Sequence, residues 1–188
     1  MRGRILPASH WLRKGFAALA LLLVVAPAAH GNGWEHGTVP FGALLSALQS
    51  DDPSLRARAA ESLGYRGQGE AVGPLLEALA RPEPESAVRG AIVAALGRLR
   101  NAAALPALLE CLAAEREDTV RGECATALGV IGDVRALPAL LDAIDREASP
   151  LVIAEAVDAL GGFDAPEAVA RLASLAEGDD PALAARAV

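Results

Sequence analysis

Aromatic side chains make up only 3% of this chain of 188 residues. A core of stacked rings is thereby excluded, and the interior has to be filled by Leu, Val and Ala. Lysine occurs once, as Lys14, so every later basic side chain is an arginine. Histidine is limited to His10, His30 and His36. Beyond them a Ser-His-acid or Cys-His nucleophile has no base. His30 and His36 could together bind a transition metal, but with only two ligands on a Gly-rich stretch the preferred reading is no site. The two cysteines, Cys111 and Cys124, have no zinc-site spacing. There is no P-loop and no dinucleotide fingerprint, since the glycine pairs Gly31/Gly33 and Gly129/Gly132 stand in a linker and at a helix end. No catalytic set, cofactor site or metal site is expected, and the chain does not read as an enzyme.

Basic charge is also short. The chain carries −7 overall, with four of its 17 basic residues in the leader (Arg2, Arg4, Arg13, Lys14). The remainder holds 13 basic and 24 acidic residues, a net −11. Such a surface disfavours nucleic acid and anionic membranes, which require a basic footprint.

The long apolar run is confined to the N-terminus. Gly15 to Ala26 follows the basic leader, and Ala26-Pro27-Ala28 places small residues where a signal peptidase reads. Residues 1–28 therefore read as a Sec-type secretory signal. The run is shorter than the roughly 20 residues of a comfortable membrane span, so no stable insertion is expected after cleavage; an uncleaved anchor is the competing reading. Residues 29–38 form a short Gly-rich linker carrying Trp34. The expected location is outside the cytoplasm, periplasmic or secreted.

What the rest of the chain has is a repeat. Leu63-Gly64, Leu96-Gly97, Leu128-Gly129 and Leu160-Gly161 recur at a nearly constant spacing, the first step one residue longer than the next two. Seven residues before the first three leucines stand Arg56, Arg89 and Arg121, and apolar residues sit at offsets −1, +3, +4 and +7 from each arginine. That spacing is one face of an α-helix. Upstream, Pro74, Pro106 and Pro138 recur at equal steps, each followed two residues later by a leucine: Leu76, Leu108 and Leu140. Leu172 continues that series, and residues 39–48 form the same helix without its proline. Each unit is therefore helix A, turn, helix B, turn.

The turns carry matching signals. Asp52-Pro53 and Asp180-Pro181 place an acidic N-cap before a proline at the first helical position, and Asp118-Thr119 and Ser149-Pro150 are expected to act likewise. Asn101, Asp133 and Asp164 are the expected N-caps of the following A helices, which either start late, near their prolines, or bend in the first turn. The B helices are expected to end at or soon after the Leu-Gly glycine. Arg81-Pro82-Glu83-Pro84-Glu85 is the stiffest turn.

Thr119 to Asp133, followed by Ala136 to Asp142, closely resembles the HEAT-like repeats first noted in phycobilisome lyases. The resemblance covers 39–188, with Ile153 standing where the fourth unit should carry arginine. It implies an all-α fold, a right-handed α-solenoid of about five two-helix repeats with the last incomplete. Acidic residues precede each B helix (Asp51 and Asp52; Glu83 and Glu85; Glu117 and Asp118). Arg56, Arg89 and Arg121 then read as a ladder of Arg–carboxylate pairs between successive repeats, the alternative being an anion-binding row. The resemblance places the B helices on the concave side. Arg58, Glu61, Glu123, Thr126, Glu155 and Asp158 are accordingly the candidate binding face.

Cys111 and Cys124 fall at similar heights in the third hairpin. The preferred reading is two small buried hydrophobes; in an oxidising compartment they could form a disulfide. Residues 180–188 begin a B helix matching 52–60 but stop before a Leu-Gly pair. That end is expected to be truncated, exposed through Leu183 and Val188, or used for end-to-end self-association. The functional expectation is a non-catalytic exported scaffold that binds a protein or peptide. The alternatives are an accessory subunit of lyase or chaperone type related to bilin lyases, and a structural part of a larger envelope protein.

Overall fold

The computed structural model describes residues 39–83 and 85–187. The expected signal, the linker and all three histidines lie outside the described residues, as do Pro84 and Val188. Ten α-helices are described, in five hairpins: α1 (Phe41–Ala47) with α2 (Pro53–Arg66), α3 (Val72–Ala80) with α4 (Ser86–Leu99), α5 (Leu105–Ala114) with α6 (Asp118–Ile131), α7 (Leu137–Arg146) with α8 (Pro150–Leu160), and α9 (Pro166–Ala176) with α10 (Pro181–Arg186). Odd-numbered helices are the A helices and even-numbered ones the B helices. No strand occurs among the described residues. The fold is an α-solenoid.

The repeated leucines are its spine. Leu63, Leu96, Leu128 and Leu160 are fully buried, as are Leu44, Leu75, Leu108 and Leu140 from the A helices. The position in α3 differs from the sequence expectation, because Leu75 is buried and Leu76 is only half-buried. The step from Leu75 to Leu108 equals that from Leu63 to Leu96, whereas the step from Glu83 to Glu115 is one shorter. The second repeat thus carries one extra residue in the turn before Glu83. Pro74 is the third residue of α3, while Pro106 and Pro138 are the second residues of α5 and α7.

Both alternatives for the A-helix starts are realised together. A 3-10 turn precedes each of α3, α5 and α7, and the α-helices of the latter two begin one residue before their prolines. Asn101 caps its 3-10 turn by accepting from the Ala103 N–H (2.9 Å), and Asp133 accepts from Arg135 (3.0 Å). Asp164 does not cap α9, whose N-cap is Ala165. Asp52 and Asp180 cap α2 and α10 as expected from their Asp-Pro pairs. Asp118 instead sits inside the first turn of α6, and its carboxylate turns to Arg121. Ser149 occupies the N-cap position of α8 but makes no capping bond.

As expected, α2, α4 and α6 end soon after their Leu-Gly glycines. Gly64, Gly97 and Gly129 are buried within the B helices, not past their ends. The helices run on toward Gly67, Arg100 and Gly132, which cap them in the left-handed conformation with φ of 65°, 49° and 69°. A Cβ on Gly64 would lie 2.7 Å from the Ala95 Cα, and one on Gly129 2.7 Å from the Ala159 Cα. These glycines let neighbouring B helices approach backbone to backbone. Only Gly161 ends its helix at the pair.

The B helices form the continuous contact along the stack, whereas successive A helices touch sparsely. The B helices therefore form the tightly packed layer of the stack.

Candidate functional site

The ladder starts from the arginine in the first turn of α2, α4 and α6. Arg56 Nε and Nη2 donate to Glu83 at 2.6 and 2.9 Å, across to the next repeat. Arg89 Nε donates to Glu115 at 2.7 Å, and Arg121 Nε and Nη2 to Glu147 at 2.8 and 3.1 Å. Arg56 and Arg121 also bind their own A–B turns. Arg56 Nη1 reaches the Ser50 and Asp51 carbonyls, and Arg121 Nη1 those of Glu115 and Arg116. Arg89 reaches the Leu79 carbonyl instead, at 3.3 Å, because the extra residue displaces its turn.

Each glutamate faces both ways as well. The second carboxylate oxygen accepts turn N–H groups: Glu85 for Glu83, Arg116 for Glu115, Ala148 and Ser149 for Glu147. The guanidinium hydrogen bond holds the carboxyls of Glu83 and Glu147 below the usual range, against the opposing effect of burial. At Glu115 burial is the largest influence and pushes upward, but Arg89 and the turn N–H groups together outweigh it. Asp118 is lowered by the Ser149 hydroxyl and by Arg121. Half-buried Asp133 is held to about 2 by the hydrogen bonds from Arg135.

Of the acidic residues singled out in the sequence, Glu83 is the one in the ladder proper. Glu115 and Glu147 went unrecognised, although the signal was present: Glu83, Glu115 and Glu147 recur at equal steps, each six residues before the Arg89, Arg121 or Ile153 position. Ile153 and exposed Asp179 occupy the next rung, so the ladder stops there. Arg171 to Asp145 (2.5 Å) and Arg186 to Asp158 hold the last hairpin instead.

The candidate binding face is built from B-helix positions that follow one another down the repeats. Arg58, Glu123 and Glu155 belong to one row, with Ala91 between them; Glu61, Thr126 and Asp158 belong to the next, with Ala94. Thr126 Oγ1 lies 2.9 Å from Glu155 Oε2 and 3.2 Å from the Gly122 carbonyl, so its single proton serves one of them at a time. Asp158 pairs with Arg186. Glu61 and Glu123 share a groove of about 560 Å³ over α4. Its floor is Ala87, Gly90, Ala91 and Ala94, none with an atom beyond Cβ. Burial between the walls and the charge of Glu155 push the Glu123 carboxyl up, with Arg98 opposing. Two contributors were missed in the sequence. Tyr65 is half exposed, and the Arg98 guanidinium lies 4.5 Å above its ring. They stand two residues after Leu63 and Leu96, at equivalent positions of adjacent repeats.

Cys111 and Cys124 are bonded, with their Cα atoms 6.1 Å apart, and tie α5 to α6. This replaces the preferred reading of two unbonded hydrophobes. Among the described residues no cluster of three or more His, Cys, Asp or Glu could hold a metal ion. Among them, no helix is long and apolar enough to cross a membrane.

A family model for HEAT repeats matches residues 42–129 and 115–188. The chain belongs to the HEAT-repeat family. Its HEAT hairpins are similar to the complex of CpcE and CpcF of phycocyanin lyase from a Nostoc species, at 24% identity and a TM-score of 0.54, over 85% of this chain and 79% of that one. Human deoxyhypusine hydroxylase is a more distant likeness, at 17% identity and a TM-score of 0.37, over 94% and 88% of the two chains. No curated protein matches the sequence.

Proposed function

We propose that this HEAT-repeat chain is a non-catalytic scaffold that acts outside the cytoplasm and binds a protein partner on its concave face. The observation that carries the reading is the division of labour between the two sets of charged residues. The ladder arginines are consumed by structure, each bound to a neighbouring glutamate and to a backbone carbonyl of its own repeat. The rows of the candidate face vary in residue type from repeat to repeat, as a recognition surface does. The basic leader, apolar run and Ala26-Pro27-Ala28 support export.

The likeness to CpcE–CpcF supports a second reading, an accessory subunit of a lyase or chaperone assembly. Cross-linking in an envelope extract, with the tagged chain as bait, tests the first. A partner lost on the double reversal Arg58→Glu and Glu155→Arg, with an unchanged melting curve, supports it. A partner retained by that variant removes the concave face from the reading. A shifted visible spectrum on mixing with a linear tetrapyrrole would turn the assignment to the second.

A further inference from the structure

We propose that the groove over α4 receives a lysine- or arginine-bearing segment of the partner protein, with the cation placed between Glu61 and Glu123. The inference rests on the scaffold reading above and names the chemistry of its partner. Four observations converge. First, the groove walls each bring a carboxylate, Glu61 from α2 and Glu123 from α6. A cation between them meets opposite charge on both sides, whereas an acidic segment would be repelled. Second, Glu123 is crowded by its surroundings and by Glu155, so an incoming cation relieves an existing repulsion. Third, the chain's own cation in the groove, Arg98, is held at one end over the Tyr65 ring at 4.5 Å. Fourth, the floor is open. A Cβ on Gly90 would meet nothing within 4 Å, so no packing demand inside the chain requires glycine there. Gly97, further along the same helix, is by contrast pressed against Ala127.

The probe is an alanine-rich helical peptide with lysines on one face, compared with its twin carrying glutamates, at about 150 mM salt to suppress long-range attraction. The lysine peptide is expected to shift the amide resonances of Gly90 and Ala94, and the glutamate twin to leave them in place. Ala94→Trp, which fills the groove, and Glu61→Gln with Glu123→Gln, which removes the charge, should each weaken binding about tenfold or more without moving the melting temperature. Equal binding of both peptides, unmoved Gly90 and Ala94 resonances, or undiminished binding to Ala94→Trp would overturn the proposal. If the groove fails this way while a cross-linked partner is still lost on reversal of Arg58 and Glu155, the scaffold reading stands and only the groove assignment falls.

Discussion

Gly97 faces Ala127 across the α4–α6 contact, and a methyl carbon placed on Gly97 would lie 2.9 Å from the Ala127 Cβ and 3.0 Å from its Cα. Real Cβ atoms do not approach so closely. The same relationship recurs one repeat up and one repeat down, between Gly64 and Ala95 and between Gly129 and Ala159. The period of the sequence is therefore the period of a backbone contact.

Two substitutions within α4 isolate that contact. Helix propensity alone favours alanine over glycine by about 1 kcal/mol at either position. Gly90→Ala, into open space, should raise stability by about that amount. Gly97→Ala should lower it by about 1–3 kcal/mol, the range for overpacking a tight interface. Thermal or urea unfolding of the two variants checks this, and effects of the same sign would contradict the close-packing account.

Arg89→Ala removes the Glu115 pair and the Leu79 carbonyl bond together, leaving a half-buried carboxylate without its cation. The expected loss is about 2 kcal/mol. Arg89→Lys should recover only part of it, because an ammonium cannot serve carboxylate and carbonyl with one planar fork. An unchanged melting curve accompanied by lost partner binding would instead make the arginines an anion-binding row.

The ladder also fixes an acid limb. Glu83, Glu115 and Glu147 titrate below the ordinary glutamate value in the folded chain, while the unfolded chain titrates near it, at about 4.3. A lowered native value stabilises fully above the unfolded pKa and is lost as pH falls through the native one. The melting temperature should therefore hold from neutral pH down to about 5 and drop below about 4. Melts at pH 7 and pH 3 should show a smaller drop for Arg89→Ala, which has already lost one rung; an equal or larger drop would argue against the glutamates as its source.

The bond between Cys111 and Cys124 closes a loop with a sequence separation of 13. Constraining so short a loop in the unfolded chain stabilises by about 3 kcal/mol in the chain-entropy model. Alkylation without reductant should add no mass, alkylation after reduction should add two equivalents, and reduction should lower the melting temperature. Two thiols reactive at the outset in unfolded, unreduced protein would show that the bond does not form.

Much of this architecture is legible in the chain. The apolar offsets around Arg56, Arg89 and Arg121 give the B helices, and the recurring prolines mark the A helices to within a turn. The ladder was legible as a device and in one of its cross-repeat partners, Glu83, but not in the other two. Sequence proximity pointed to Asp51, Asp52, Glu85, Glu117 and Asp118, whereas the carboxylates that close two of the rungs are Glu115 and Glu147, one repeat ahead. Pairing across repeats depends on the rise from one hairpin to the next, which a one-dimensional spacing does not contain. The candidate face residues lie on B helices, but the groove escaped notice. It is made by what α4 lacks, and alanine and glycine on a helix give no signal until larger neighbours stand on both sides.

The amino-acid sequence by itself determined that the chain would stack two-helix units, because so short and regular a period leaves each unit with an apolar face that only another unit can cover. What the tertiary structure alone decided was the meaning of the glycine in each Leu-Gly pair. A glycine late in a helix suits an end cap as well as a close crossing. The choice is made by whether a neighbouring backbone occupies the space its missing side chain leaves open.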